Sequence, residues 1–147
     1  MDIKYVFPDT LPDINKEKLC TISIQKIKNK LELPNSLTIE FRKLHPSTYG
    51  LATLNSKNII QLNESLGYKE TVIVLIHELC HVEQIHTGIL RFSRKNEIVY
   101  NNKVYGTEST IKALKYSEYQ KLPWELDVVK KQQSLLDFLL GISAEYT

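Results

Sequence analysis

Two cysteines in 147 residues are too few for a disulfide framework. Cys80 falls in an apolar setting where a buried, reduced thiol is expected. Long apolar runs are missing too: the richest stretch, residues 71–76, is far shorter than the about 20 residues a membrane helix needs. Residues 1–8 lack the apolar core of a secretory signal. The expectation is a cytoplasmic protein with no membrane partner. Abundant Lys, Ile and Asn is the composition of a low-GC bacterium or its phage, and for a phage protein the virion or host cytoplasm would serve equally. Neither charge sign dominates, since the net charge is +2 with 24% charged residues. The basic clusters at 91–95 and 130–131 are short, and read as a solvated hairpin and a helix surface. Nucleic acid is therefore not an expected partner. Repeats, low-complexity tracts and flexible linkers are absent, while 42% of residues are apolar. One domain spanning residues 1–147, large enough to bury a core, is expected.

Hydrophobic spacing outlines the elements. Ile14, Leu19, Ile22, Ile27 and Leu31 recur at helical intervals between Pro12 and Pro34. Residues 37–44 alternate as a strand does, and the runs 49–54 and 58–63 can pair as a hairpin across 55–57. A helix over 68–87 is expected to stop at Gly88. Residues 91–105 read as a β-hairpin around Asn101-Asn102, and 108–119 as a short amphipathic helix. Pro123 opens a last helix that runs to about Leu140, before Gly141. The sum is an α+β fold.

Inside the 68–87 helix, residues 77–81 read HExxH. At about 100° per residue, His77 and His81 lie roughly 40° apart, with Glu78 on the adjacent flank. Leu75, Val82, Leu79, Val72, Ile76 and Cys80 occupy the opposite arc. Two histidines and a glutamate on one strip of a buried helix are hard to accommodate without strong partners. The pair has the spacing of zinc ligands, and Glu78 stands where it can activate a water on the metal. His45 and His86 read as ordinary polar groups, His86 pointing about 180° from His77.

A catalytic zinc takes three protein ligands and keeps one position open. No third histidine follows at metzincin spacing, because Gln84 and Thr87 stand in the positions of its Gly and His. The leading candidate is Glu125, which projects onto the same face of the last helix as Val128, Leu135, Leu139, Leu136, Val129 and Leu140. An inward carboxylate wants a cation or strong donors. Glu83, Glu108 and Glu118 are the alternatives.

With His77, Glu78, His81 and a distal Glu125 in view, the chain resembles the zincin metallopeptidases, in particular the gluzincin branch with glutamate as third ligand. The runs 49–54 and 58–63 resemble the paired strands before the active-site helix in small zincins, including SprT-like and ImmA-like types. The resemblance implies a small, mostly antiparallel sheet packed on the HExxH helix, with N- and C-terminal helices. It also implies a peptide or protein substrate laid along an exposed edge strand, which would be 58–63. Thermolysin-type enzymes place an Asp four residues after the third ligand; Val129 occupies that position here.

The resulting expectation is a zinc metallopeptidase, a hydrolase in which Zn2+ on His77, His81 and Glu125 acidifies a water and Glu78 takes its proton as general base. Two other readings stand beside it. One is a non-catalytic zincin-fold component of a larger assembly, such as a virion or a toxin–immunity system, with a protein assembly partner. The other is a DNA-associated SprT-like protease. Retention of Glu78, which a scaffold does not need, favours the enzyme.

Overall fold

The computed structural model describes residues 1–52 and 58–141. Among the described residues, two sheets and five α-helices make a mixed α+β architecture. The first strand, β1 (Asp2–Val6), leads through Asp13 into α1 (Ile14–Ile27), and the chain returns as β2 (Ser36–Arg42). The Asp13 carboxylate accepts from Asn15 N and Lys16 N, satisfying two free donors of the first turn. Then follow β3 (Gly50–Leu51), β4 (Ile59–Asn63) and α2 (Tyr68–His86). Sheet order is β1-β2-β4-β3.

Two of the three junctions in this sheet are parallel, β1 with β2 and β2 with β4; only β3 runs antiparallel to β4. This corrects the expected mostly antiparallel sheet. Helix α1 is a crossover connection that brings the chain back in the direction it left, which a tight hairpin cannot do. The edge also differs from expectation. Strand β4 lies between β2 and β3, so its backbone groups are taken on both sides, and the two-residue β3 forms that edge. The expected turn at 55–57 lies outside the described residues.

Alternation in β2 buries Leu37, Ile39 and Phe41, and in β4 Ile60 and Leu62. Against them pack Cys20, Ile24 and Ile27 of α1 and Leu75, Ile76 and Leu79 of α2. The inward stripe of α1 differs in part from the expected one: Ile27, and Leu31 beyond the helix, are buried as expected, but Ile14 and Ile22 are exposed, while Lys16 and Ser23 are buried. Lys16 tolerates burial because its ammonium donates to the Glu64 carbonyl at 2.8 Å.

The second half builds an antiparallel three-stranded sheet, β5 (Leu90–Phe92), β6 (Glu97–Tyr100) and β7 (Lys103–Thr107). Asn101 and Asn102 turn β6 into β7 with φ of 51° and 65°, the left-handed pair that a two-residue hairpin of primed type demands. Residues 108–119 form two short helices where one was expected, α3 (Glu108–Lys112) and α4 (Tyr116–Tyr119). The break falls at Lys115, whose backbone is extended. Last comes α5 (Pro123–Leu139), with Pro123 in its first turn and Gly141 beyond its end at φ 72°.

Candidate metal centre

Helix α2 is buried around most of its circumference because Leu75, Ile76, Leu79, Cys80 and Val82 all face protein. That leaves one strip, Ile73, Val74, His77, Glu78, His81 and Ile85, along the floor of a cleft of about 620 Å3. Gly88, at φ 80° just past the helix, supplies the left-handed residue that ends it.

Helix α5 reaches this strip because its start is anchored twice. Trp124 is buried in a second apolar cluster, with its ring 5.8 Å from that of Tyr100 and 5.3 Å from that of Tyr105. Val128 and Leu135 join the main core. Glu125 lies between these anchors, 8% exposed, and faces α2. Its helix is rotated relative to the expected stripe, so Val129 and Leu140 are exposed at 56% and 72%. Val129 lines the cleft instead.

Among the described residues, His77, His81 and Glu125 form a cluster whose ligand atoms all lie within 4.8 Å of one another. His81 Nε2 is 3.3 Å from Glu125 Oε1, and His77 Nε2 is 3.7 Å from Glu125 Oε2. A direct charge-assisted hydrogen bond would be about 2.8 Å. Zinc–ligand bonds of about 2.0–2.1 Å in a tetrahedron separate neighbouring ligand atoms by about 3.3 Å. The observed separations suit a small ion held between these atoms.

The other ring nitrogens settle the tautomers. His81 Nδ1 is 3.0 Å from Gln84 Oε1, and the amide nitrogen of Gln84 donates to the Trp124 carbonyl at 3.0 Å. His77 Nδ1 is 2.9 Å from Gln132 Oε1, and the Gln132 amide nitrogen donates to the Ile73 carbonyl at 3.2 Å. With each amide nitrogen committed to a carbonyl, each Oε1 accepts, so both Nδ1 atoms carry the proton. Both Nε2 positions face Glu125: each carries a proton toward the carboxylate when its ring is charged, and offers a lone pair to a metal ion when that proton is lost.

Electrostatics follow the same geometry in the metal-free protein. Burial alone would push the Glu125 carboxyl up, but the facing His77 and His81 outweigh it and hold it well below the usual carboxylate range. Burial disfavours charge on both imidazoles, yet Glu125 overrides it and raises them. Glu78 is raised by burial, against the pull of His81 and His77. The Tyr119 phenol, raised by burial and then by Glu125, stays protonated at the cleft wall.

The alternatives to Glu125 do not join the two histidines. Glu83 accepts from Glu32 N at 2.6 Å and pairs with Lys131. Glu108 pairs with Lys112 at 2.9 Å, and Glu118 is exposed on α4. His45 is exposed and bonded to Ser47, and His86 is exposed. Both cysteines are free and buried. Sequence reasoning missed Gln84 and Gln132. A signal was available: Gln84 lies one turn beyond His81, and Gln132 two turns beyond Glu125, on the faces those residues share.

No protein family, curated protein or solved structure matches the chain. A group of two imidazoles and one carboxylate able to hold a metal ion is thus what the structure itself contributes.

Proposed function

We propose that this protein is a zinc-dependent metallopeptidase of zincin type, with His77, His81 and Glu125 as metal ligands and Glu78 as general base. The observation that carries the reading is the convergence of both Nε2 atoms on the Glu125 carboxylate at 3.3 and 3.7 Å, beside a buried Glu78 on the same cleft floor. Two imidazoles and one carboxylate suit zinc. A divalent ion bound there supplies Lewis acidity to water and to a carbonyl.

The chain's own residues do the rest. Glu78, 7% exposed and with its carboxyl raised by burial, is suited to take a proton from water at the cleft floor. Tyr119, a protonated phenol beside Glu125, lines the same cleft. Along α2 the cleft runs from Ile73 to Ile85, about 18 Å at 1.5 Å per residue. That length accepts about five residues of extended peptide at about 3.3 Å each. Access favours an enzyme over a non-catalytic assembly component, since the His77 side chain is 27% exposed within an open cleft. Nothing in the site favours a nucleic-acid partner.

Glu78→Gln tests the mechanism. Zinc content by elemental analysis stays stoichiometric, while turnover of a fluorogenic peptide library that the wild type cleaves drops by about 10²–10⁴-fold. Equal cleavage by the variant removes Glu78 as base, and a wild type that cleaves nothing removes the peptidase reading.

A further inference from the structure

We infer that Gln84 and Gln132 are positioning residues that join ligand orientation to the docking of α5 on α2, so that metal affinity depends on two neutral amides. The inference rests on the metal reading above. Gln84 stands on α2 and is 7% exposed. One end of its amide receives His81 Nδ1–H at 3.0 Å, and the other donates at 3.0 Å to the Trp124 carbonyl, the peptide group that leads into Glu125. A single side chain therefore sets the ring of one ligand and the backbone entry to another.

Gln132 reverses the arrangement. It stands on α5 and receives His77 Nδ1–H at 2.9 Å, while donating at 3.2 Å to the Ile73 carbonyl of α2, one turn before His77. Each histidine is thereby tied, through an amide, to the helix that bears Glu125. Sliding α5 along α2 breaks both ties, and rotating either ring breaks the one it makes. A buried amide persists when both of its ends are satisfied. Here one end of each is taken by a ring whose remaining nitrogen faces Glu125. Packing alone would require neither amide to reach an imidazole.

Methionine separates shape from hydrogen bonding, because it matches glutamine in length and offers no comparable donor or acceptor. The full chain, stripped of metal by dialysis against a chelator, is titrated with zinc and with cobalt in competition with a chromophoric chelator. Melting of the apo and zinc-loaded forms is followed in parallel. Gln84→Met and Gln132→Met are expected to weaken zinc binding about 10–100-fold, the usual effect of removing such a partner, and to shrink the zinc-induced rise in Tm. Gln132→Glu keeps an acceptor for His77 Nδ1–H but loses the donor to the Ile73 carbonyl, so it is expected to recover part, and not all, of the affinity that Gln132→Met loses. Gln132 is only partly buried and carries the test if Gln84→Met does not fold. Methionine variants that bind zinc as wild type does overturn the inference, whether or not their apo Tm falls. Gln132→Glu that binds zinc no better than Gln132→Met overturns the part assigned to ring orientation, and Gln132→Glu that binds as wild type does overturns the part assigned to docking. Wild type that takes up neither zinc nor cobalt overturns the metal reading itself, a different result from equal binding by all forms.

Discussion

Gly50→Ala probes how closely the edge strand is pressed onto the helix that carries His77, Glu78 and His81. A Cβ at Gly50 would lie 2.7 Å from Val74 Cγ1, 3.1 Å from Glu78 Cγ and 3.2 Å from the Gln61 carbonyl oxygen. Gly50 is not among the positive-φ residues, so alanine fits the backbone and the effect comes from space alone. Carbon atoms in contact prefer about 3.5–4.0 Å, so a displacement of about 1 Å is required. Val74 is β-branched and held to one rotamer in a helix, and the Gln61 oxygen belongs to the paired strand β4. Strand β3 must therefore lift, or Glu78 must move. Overpacking of this kind costs about 1–3 kcal/mol, which for a chain of this length lowers Tm by roughly 3–10 °C. If Glu78 is the general base proposed above, a shift of about 1 Å at its carboxylate is expected to lower turnover by about 10²-fold. Zinc affinity stays within a few fold, because none of the crowded atoms belongs to His77, His81 or Glu125. The assays are thermal melting, zinc competition and peptide turnover on one preparation. A variant that melts with wild type, with β3 unmoved in a crystal structure, would refute the reasoning.

Other consequences can be checked separately. His81→Ala removes a proposed ligand and its tie to Gln84, and elemental analysis is expected to find substoichiometric zinc; a zinc-replete variant of His77→Ala plus His81→Ala would sink the assignment. In the metal-free protein the raised imidazoles contribute stability that is complete below their unfolded pKa and is lost as pH rises through their folded values. The lowered Glu125 contributes above its unfolded pKa, and that part is lost as pH falls through its folded value. Zinc opposes the first trend because it displaces protons from Nε2, so the zinc-induced gain in Tm is expected to grow between about pH 6 and pH 8. A gain that shrinks over that interval contradicts imidazole ligation. Burial pushes the Cys20 and Cys80 thiols up to about 12, so neither is expected to react with a disulfide reagent near neutrality until the protein is unfolded. Rapid native labelling of either would contradict the packing around it.

Features that depend on a few neighbouring residues are legible in the amino-acid sequence. Helix α2 and its stop at Gly88, the turn at Asn101 and Asn102, and the span of α5 from Pro123 toward Gly141 all follow from helical period or left-handed backbone chemistry. The strip of His77, Glu78 and His81 is likewise dictated by 3.6 residues per turn. Long-range choices are not legible there. The partner of β1 is β2, 34 residues away in register, and only the crossover through α1 makes that pairing parallel. Which stripe of α1 faces inward is decided by the surfaces it meets, leaving Ile14 and Ile22 in solvent and Lys16 buried against the Glu64 carbonyl. Glu125 can be nominated from its helix, but its approach to both imidazoles requires Trp124 and Val128 to dock on different parts of the core. Local spacing thus set the histidine pair and Glu78 beside it, because one helical turn contains them. The approach of Glu125 to both imidazoles and both glutamine ties came from tertiary structure, because each joins groups on two helices whose relative position no local pattern encodes.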